Sequence, residues 1–248
     1  MFPIRDHNPS QRIPYVTLAL LAANILIWLW GLVTLNSTAE INRLYLDYAM
    51  IPAKISNGEN YYTLVTSVFL HDGIWHLGGN MLFLWIYGDN MEDEMGHLPF
   101  LGFYLLCGAG AALAQYIFEP WSPVPLIGAS GAIAGVMGGY LLLFPKAKVD
   151  VFIFFIVFFR ILPLPAWILL GLWFALQIFS GFSSVGGSGG VAYWAHAGGF
   201  ILGVLFTLPL FLRLGGPQFW ARTHGHPDHP EARYPIIESR MPRVGRRR

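Results

Sequence analysis

Six apolar runs, set between polar stretches, divide this chain: Tyr15–Val33, Ile74–Gly88, Leu98–Phe118, Leu126–Phe144, Pro163–Phe179 and Val191–Leu212. A helix that crosses a bilayer needs ~20 largely apolar residues. The pattern therefore predicts six spanning helices and an all-α membrane protein. The run from Ile74 is shorter than the rest and closes on Asp89, Glu92, Asp93 and Glu94. A further apolar stretch, Val149–Phe159, lies between Lys148 and Arg160 and reads as an interfacial segment or a strand-like loop. The stretch GFSSVGGSGG, residues 181–190, reads as a flexible connector. The expected organisation is a polar tail over 1–14, a six-helix body over 15–213 and a polar, His- and Arg-rich tail over 214–248 without fixed structure.

Composition agrees with that pattern. Only 12% of the 248 residues are charged, about half of the ~25% usual in soluble domains. The one cysteine, Cys107, sits inside an apolar run, which excludes a disulfide framework or a cysteine-zinc cluster. The N-terminal stretch MFPIRDHNPSQRIP leads into the first run without a cleavage site and reads as a retained cytosolic tail. With six spans, both ends fall on one side, and that side carries thirteen of the fifteen Lys and Arg; only Arg43 and Lys54 lie opposite. The positive-inside rule then places both termini in the cytoplasm. The location expected is that of an integral multi-pass protein of a prokaryotic cell membrane.

Polar side chains inside spans are costly and default to functional candidates. His76 and Asn80 lie four apart, on one helix face, near the outer end of the second span. Ser130 heads the fourth, in a segment without charge between Glu119 and Lys146. His196 lies near the outer end of the sixth. All four fall at a similar depth. Small residues recur every four positions after Ser130 (Gly131, Gly135, Gly139) and around His196 (Ala195, Gly199, Gly203). Such stripes let two membrane helices approach closely, and facing stripes would bring Ser130 to His196. A serine hydroxyl needs an adjacent base, and neutral imidazole suits that task. His76, Asn80 and the Ser130 N–H are candidate donors to an oxyanion. No carboxylate joins this set, because Asp89 and Glu92 lie at the other end of their span, so a Ser-His dyad is expected.

Each residue has a plainer reading. Ser130 alone is a packing residue of a glycine stripe, and His196 alone an inter-helix hydrogen-bonding histidine. GASGA is not the G-x-S-x-G elbow, since position 132 is alanine. His71 reads as an interfacial hydrogen-bonding residue. His224, His226 and His229 are separated by prolines in a polar tail and are set aside as a metal site. Joint occurrence at one depth is what favours chemistry.

HLGGN (76–80), GDNMEDEMG (88–96), GASG (128–131) and AHAGG (195–199), in that order, resemble the rhomboid intramembrane serine proteases over Tyr15 to Arg213. The resemblance implies a six-helix rhomboid bundle that cuts other proteins' transmembrane helices near the outer face of the bilayer. By motif position Ser130 is the nucleophile and His196 the base, with His76, Asn80 and the Ser130 N–H at the oxyanion. Gly88, Glu92 and Gly96 match the family's G-xxx-E-xxx-G, a structural role, and Gly128, Gly131 and Gly199 are likewise structural. His71 matches a histidine often found before the oxyanion pair. The partners implied are transmembrane-helix substrates and the lipid bilayer, with no nucleic acid, metal or organic cofactor. Two features depart from the family. An aromatic four residues after the serine is replaced by Ala134, so another group must orient His196. A Trp-Arg pair in the first outer loop is absent, with only Arg43 near Tyr45. The competing functions are a non-catalytic protein that binds transmembrane helices, which needs no Ser130–His196 bond, and a transporter, for which no clear inverted repeat is seen.

Overall fold

The computed structural model describes residues 2–155, 158–183 and 191–234. In chain order the helices are α1 (Tyr15–Thr34), α2 (Thr38–Tyr48), α3 (Pro52–Ser56), α4 (Thr63–Thr66), α5 (Ile74–Met95), α6 (His97–Phe118), α7 (Ser130–Leu143), α8 (Ala166–Ser183), α9 (Tyr193–Arg213) and α10 (Pro217–Thr223). Strands β1 (Phe2–Asp6), β2 (Lys148–Phe155) and β3 (Phe158–Pro165) form one antiparallel sheet in the order β1-β2-β3.

The sheet corrects the all-α expectation: the protein is mostly helical. The tail over 1–14 supplies β1, which pairs Phe2 with Phe152 and Asp6 with Val149. The apolar stretch after α7 folds back as the β2–β3 hairpin, pairing Lys148 with Pro165. Neither partner carries a helical period; each satisfies its backbone in the ladder instead. The stretch after Arg213 also differs from expectation, because it forms α10 and returns to the N-terminal tail. The Ala232 N–H donates to the His7 carbonyl, and Lys148 Nζ lies 2.9 Å from Glu231 Oε2. Of the connector over 181–190, the first three residues end α8; the rest, like 235–248, lies outside the described residues.

Among the described residues, four helices are long and apolar enough to cross a membrane: α1, α6, α8 and α9. The six-span expectation meets two shortfalls. Helix α5 has 22 residues but runs on through the acidic cluster to Met95. Helix α7 has only 14 residues, roughly 21 Å at 1.5 Å per residue, against a hydrocarbon core of ~30 Å.

That short helix is the centre of the molecule. Every residue from Gly131 to Tyr140 is buried, so α7 is covered on all sides by other helices. It starts four residues later than its apolar run does. Leu126 is held extended by a two-way backbone bridge to Met50, and Gly128 turns at φ +114° before the helix begins at Ser130. Against α9 it packs backbone to backbone. A Cβ on Gly199 would overlap the Gly131 carbonyl oxygen, and one on Gly203 would overlap that of Gly135. The two small-residue stripes thus meet, and nothing larger than glycine fits where they cross.

The GDNMEDEMG segment fastens α1 to the turn between α5 and α6. The Glu92 carboxylate accepts from Val16 N (2.8 Å), Thr17 N (2.7 Å) and Thr17 Oγ1 (2.7 Å). These are first-turn N–H groups of α1, which have no partner within their own helix, and a carboxylate is favoured there by the helix dipole. His97 Nδ1–H donates to the same carboxylate at 2.5 Å. Gly88 lets Thr17 approach, since a Cβ there would stand 3.0 Å from Thr17 Cγ2. Gly96, at φ +81°, makes the turn from α5 into α6.

Candidate active site

The late start of α7 puts Ser130 at the first position of a buried helix, below the ends of its longer neighbours. At that position the N–H has no intrahelical partner, and among the described residues it has no other. The opening of α9 is fixed from α6: the first-turn Ala195 N–H donates to Gln115 Oε1 at 3.2 Å. His196 follows directly. Because the backbones of α7 and α9 touch, the two side chains meet, with Ser130 Oγ 2.7 Å from His196 Nε2.

The other ring nitrogen is also held. His196 Nδ1 lies 2.8 Å from Gln177 Oε1 on α8. One turn earlier on the same helix, the Trp173 ring stands 5.8 Å from the imidazole, tilted by 36°. Gln177 and Trp173, both on α8, thus contact the His196 ring, while Ala134 is wholly buried and brings no ring of its own. The reading by polarity passed over Gln177. Its signal was a lone amide in the apolar helix AWILLGLWFALQIFSGFS, which membrane cost alone marks as functional.

His76 and Asn80 face the same place from α5. A Cβ on Gly128 would lie 2.5 Å from His76 Nε2 and 3.5 Å from Asn80 Nδ2. The bare glycine thus lets the His76 ring and the Asn80 amide pack close against the backbone just before α7. His71 joins through Asn80, whose Nδ2 donates to His71 Nε2 at 2.9 Å. Burial, with a smaller contribution from the neighbouring His76, pushes His71 down to about 4. The ring is therefore neutral near pH 7 and able to accept.

One carboxylate does reach the edge of the set, contrary to expectation. His76 Nδ1 lies 2.7 Å from Asp72 Oδ1, in the loop before α5. Asp72 pairs with His76 and not with His196, so the Ser130–His196 pair itself has no acidic neighbour in contact among the described residues. Behind Ser130 is a cavity of about 10 Å³, lined in part by Ser67, Gly128, Ser130 and Gly131, about the size of one water. No group of three or more His, Cys, Asp or Glu able to hold a metal is found among the described residues. Gly88, Glu92 and Gly96 lie at the other end of α5 and play no part in this cluster.

The rhomboid-domain family model matches residues 58–213. The chain is 32% identical over 203 residues to rhomboid protein 1, mitochondrial, of Saccharomyces cerevisiae, covering 76% of this chain and 51% of that protein. It is 41% identical over 87 residues to rhomboid protease GluP of Bacillus subtilis, covering 35% of this chain and 16% of that one. It is 38% identical over 96 residues to rhomboid-like protein 11, chloroplastic, of Arabidopsis thaliana, covering 39% and 31%. The chain thus spans about half the length of the first relative and less of the other two. Relatives named for a mitochondrion and a chloroplast beside a bacterial one tie the likeness to no single membrane. The family match and the long apolar helices agree with the packing around α7: the chain belongs to the rhomboid family of multi-pass membrane proteins.

Proposed function

We propose that this protein is an intramembrane serine protease that hydrolyses peptide bonds in or near the transmembrane helices of other proteins. The observation that carries the reading is the 2.7 Å contact between Ser130 Oγ and His196 Nε2 at the half-buried start of α7. His196 takes the hydroxyl proton as Ser130 Oγ attacks the carbonyl carbon. The carbonyl oxygen becomes an oxyanion beside the first turn of α7, where Asn80 Nδ2, the Ser130 N–H and His76 Nε2 can donate. With Nδ1–H on Asp72, His76 donates from Nε2 when the ring carries both protons. On collapse, His196 returns the proton to the leaving amine. Water then repeats the sequence on the acyl-serine, restoring the hydroxyl and releasing the acid.

In this reading α5 and α7 complete a six-helix bundle, both termini face the cytoplasm, and the bilayer belongs to a prokaryotic cell. The substrate enters sideways past α8. A helical carbonyl is tied up by its i→i+4 bond, so cleavable segments carry Gly or Pro that loosen the helix, and a small residue at the cut.

The test is cleavage of a single-span reporter in proteoliposomes by the wild type, Ser130→Ala and His196→Ala, with a fluorophosphonate probe on the same samples. Cleavage and labelling by the wild type, lost in both variants, is the expected result. A folded wild type that neither cuts several reporters nor takes the probe would overturn it in favour of a non-catalytic helix-binding protein.

A further inference from the structure

We propose that Gln177 is the positioning residue of the base: it holds His196 in the tautomer that can accept the Ser130 proton, and so ties that competence to the seating of α8. This rests on the protease reading above.

The argument begins with proton count. For Ser130 Oγ–H to donate to His196 Nε2, that nitrogen must be bare. A neutral imidazole has one N–H, so the proton must then sit on Nδ1. In a part-buried site between helices that N–H is best served by a protein acceptor. Gln177 Oε1, at 2.8 Å, is the one the structure supplies. After proton transfer both ring nitrogens carry hydrogen, and an amide oxygen still accepts from Nδ1. The ring has no cause to turn between the steps, which is what a preorganised base requires.

The neighbouring contacts single out the same helix. Ala134 has no ring to lay against the imidazole. The Trp173 ring comes instead from α8, four residues before Gln177 and so on the same face. Both orienting contacts therefore come from one element. Its buried residues, among those described, are only Ala166, Leu170 and Gly181. Any movement of α8 away from α9 takes the Nδ1 partner and the ring contact from the base together. Substrate that parts α8 from the bundle must let it close again before Ser130 can be activated.

The rival reading is that Gln177 only seats α8 against α9, and the test separates the two. The full chain in nanodiscs is compared as wild type, Gln177→Leu and Gln177→Glu, on a single-span reporter. ¹⁵N-imidazole spectra are recorded in parallel, with His196 assigned by difference from His196→Ala. Gln177→Leu should lower kcat roughly 10- to 100-fold with KM nearly unchanged, as expected for loss of a hydrogen bond to the base. Its His196 signal should gain an Nε2–H population that the wild type lacks. Gln177→Glu, which keeps an acceptor oxygen at the same reach, should restore kcat and the Nδ1–H tautomer. Should the leucine variant fail to fold, Gln177→Met is of similar length, lacks an acceptor and carries the same expectations. Wild-type kcat in the acceptor-free variant, a rise in KM alone, or an unchanged tautomer would each overturn the proposal. If the wild type neither cuts nor labels while the tautomer difference stands, the protease reading falls and the Gln177 contact survives it.

Discussion

The two ends of α7 use hydrogen bonds for different ends. At its start, among the described residues, Ser130 has one side-chain partner, His196, and its N–H has none. Near its finish, Tyr140 is wholly buried and its hydroxyl donates to Asp6 Oδ2 at 2.8 Å. Around Tyr140 the chain fastens distant segments to each other. Asp150 on β2 takes Arg5 Nε at 2.7 Å and His7 Nε2 at 2.9 Å. Asn90 Nδ2 donates to the Asn8 carbonyl, and the Arg5 guanidinium lies 3.7 Å above the Tyr234 ring. The Ser130–His196–Gln177 contacts join helices α7, α9 and α8; those around Tyr140 tie the N-terminal tail to α7, to β2, to α5 and to the chain after α10. On the protease reading, one short helix carries the reaction at one end and the fastening of distant segments at the other, with its middle closely packed between them.

The sharpest way to break that contrast is to remove the largest tie at the far end. Glu92→Ala leaves two α1 N–H groups and the Thr17 hydroxyl without their acceptor. An unmatched buried donor costs about 1–3 kcal/mol, so the loss should be about 3 kcal/mol or more. It should be read as a lower unfolding midpoint, with cleavage per folded molecule little changed. Loss of activity at unchanged midpoint would mean that the two ends are coupled. The next effect belongs to the Ser130 end. His76→Ala should cost about 2.7–4 kcal/mol of transition-state stabilisation, the usual loss for one oxyanion donor. It should lower kcat while moving the unfolding midpoint less than Glu92→Ala does.

The same division explains what was legible in the chain. The small-residue stripes after Ser130 and around His196 have a period that forces their helices together, so the Ser130–His196 approach could be read without coordinates. His76 and Asn80 followed from an i, i+4 spacing at the same depth. Gln177 and Asp72 did not, for different reasons. Gln177 lies in an otherwise apolar helix, and only the rotation of α8 about its axis decides whether that amide meets lipid or a ring nitrogen. Asp72 sits in a loop, where no periodicity says which way a side chain points. The Tyr140 end was the least legible. Its contacts join Arg5 to Asp150 and His7 to Ala232, over separations of 145 and 225 residues, and a polar tail has no pattern that announces a strand.

A gentler test uses proton linkage. Burial, and after it the charge of Asp89, pushes Asp6 up from its ordinary 3.8 to about 8. Between those values the folded protein holds a proton that the unfolded chain has released. Stability from this group is therefore complete below about pH 4 and falls as pH rises through about 8. Asp6→Asn keeps an acceptor for Tyr140 but has no proton to lose. The midpoint of the wild type should fall from about pH 5 to about pH 8, and that of Asp6→Asn should fall less over the same range. Equal slopes would remove Asp6 from the account of this end.

The smallest effect expected is that of Tyr140→Phe, which deletes one hydroxyl and leaves the ring's packing against Tyr87 and Phe144 in place. A single neutral hydrogen bond contributes about 1 kcal/mol net, and the midpoint should fall by about that much. Its use lies in the double variant with Asp6→Asn. If the Tyr140 hydroxyl stabilises the fold through Asp6, the two changes should be non-additive by roughly 0.5 kcal/mol or more, as expected for residues in contact. Reporter cleavage should be unaffected in all three variants, because Tyr140 sits at the far end of α7 from Ser130. Additive midpoints would show that Tyr140 and Asp6 act separately. A change in kcat would show that α7 transmits strain along its length, and the division between its two ends would have to be given up.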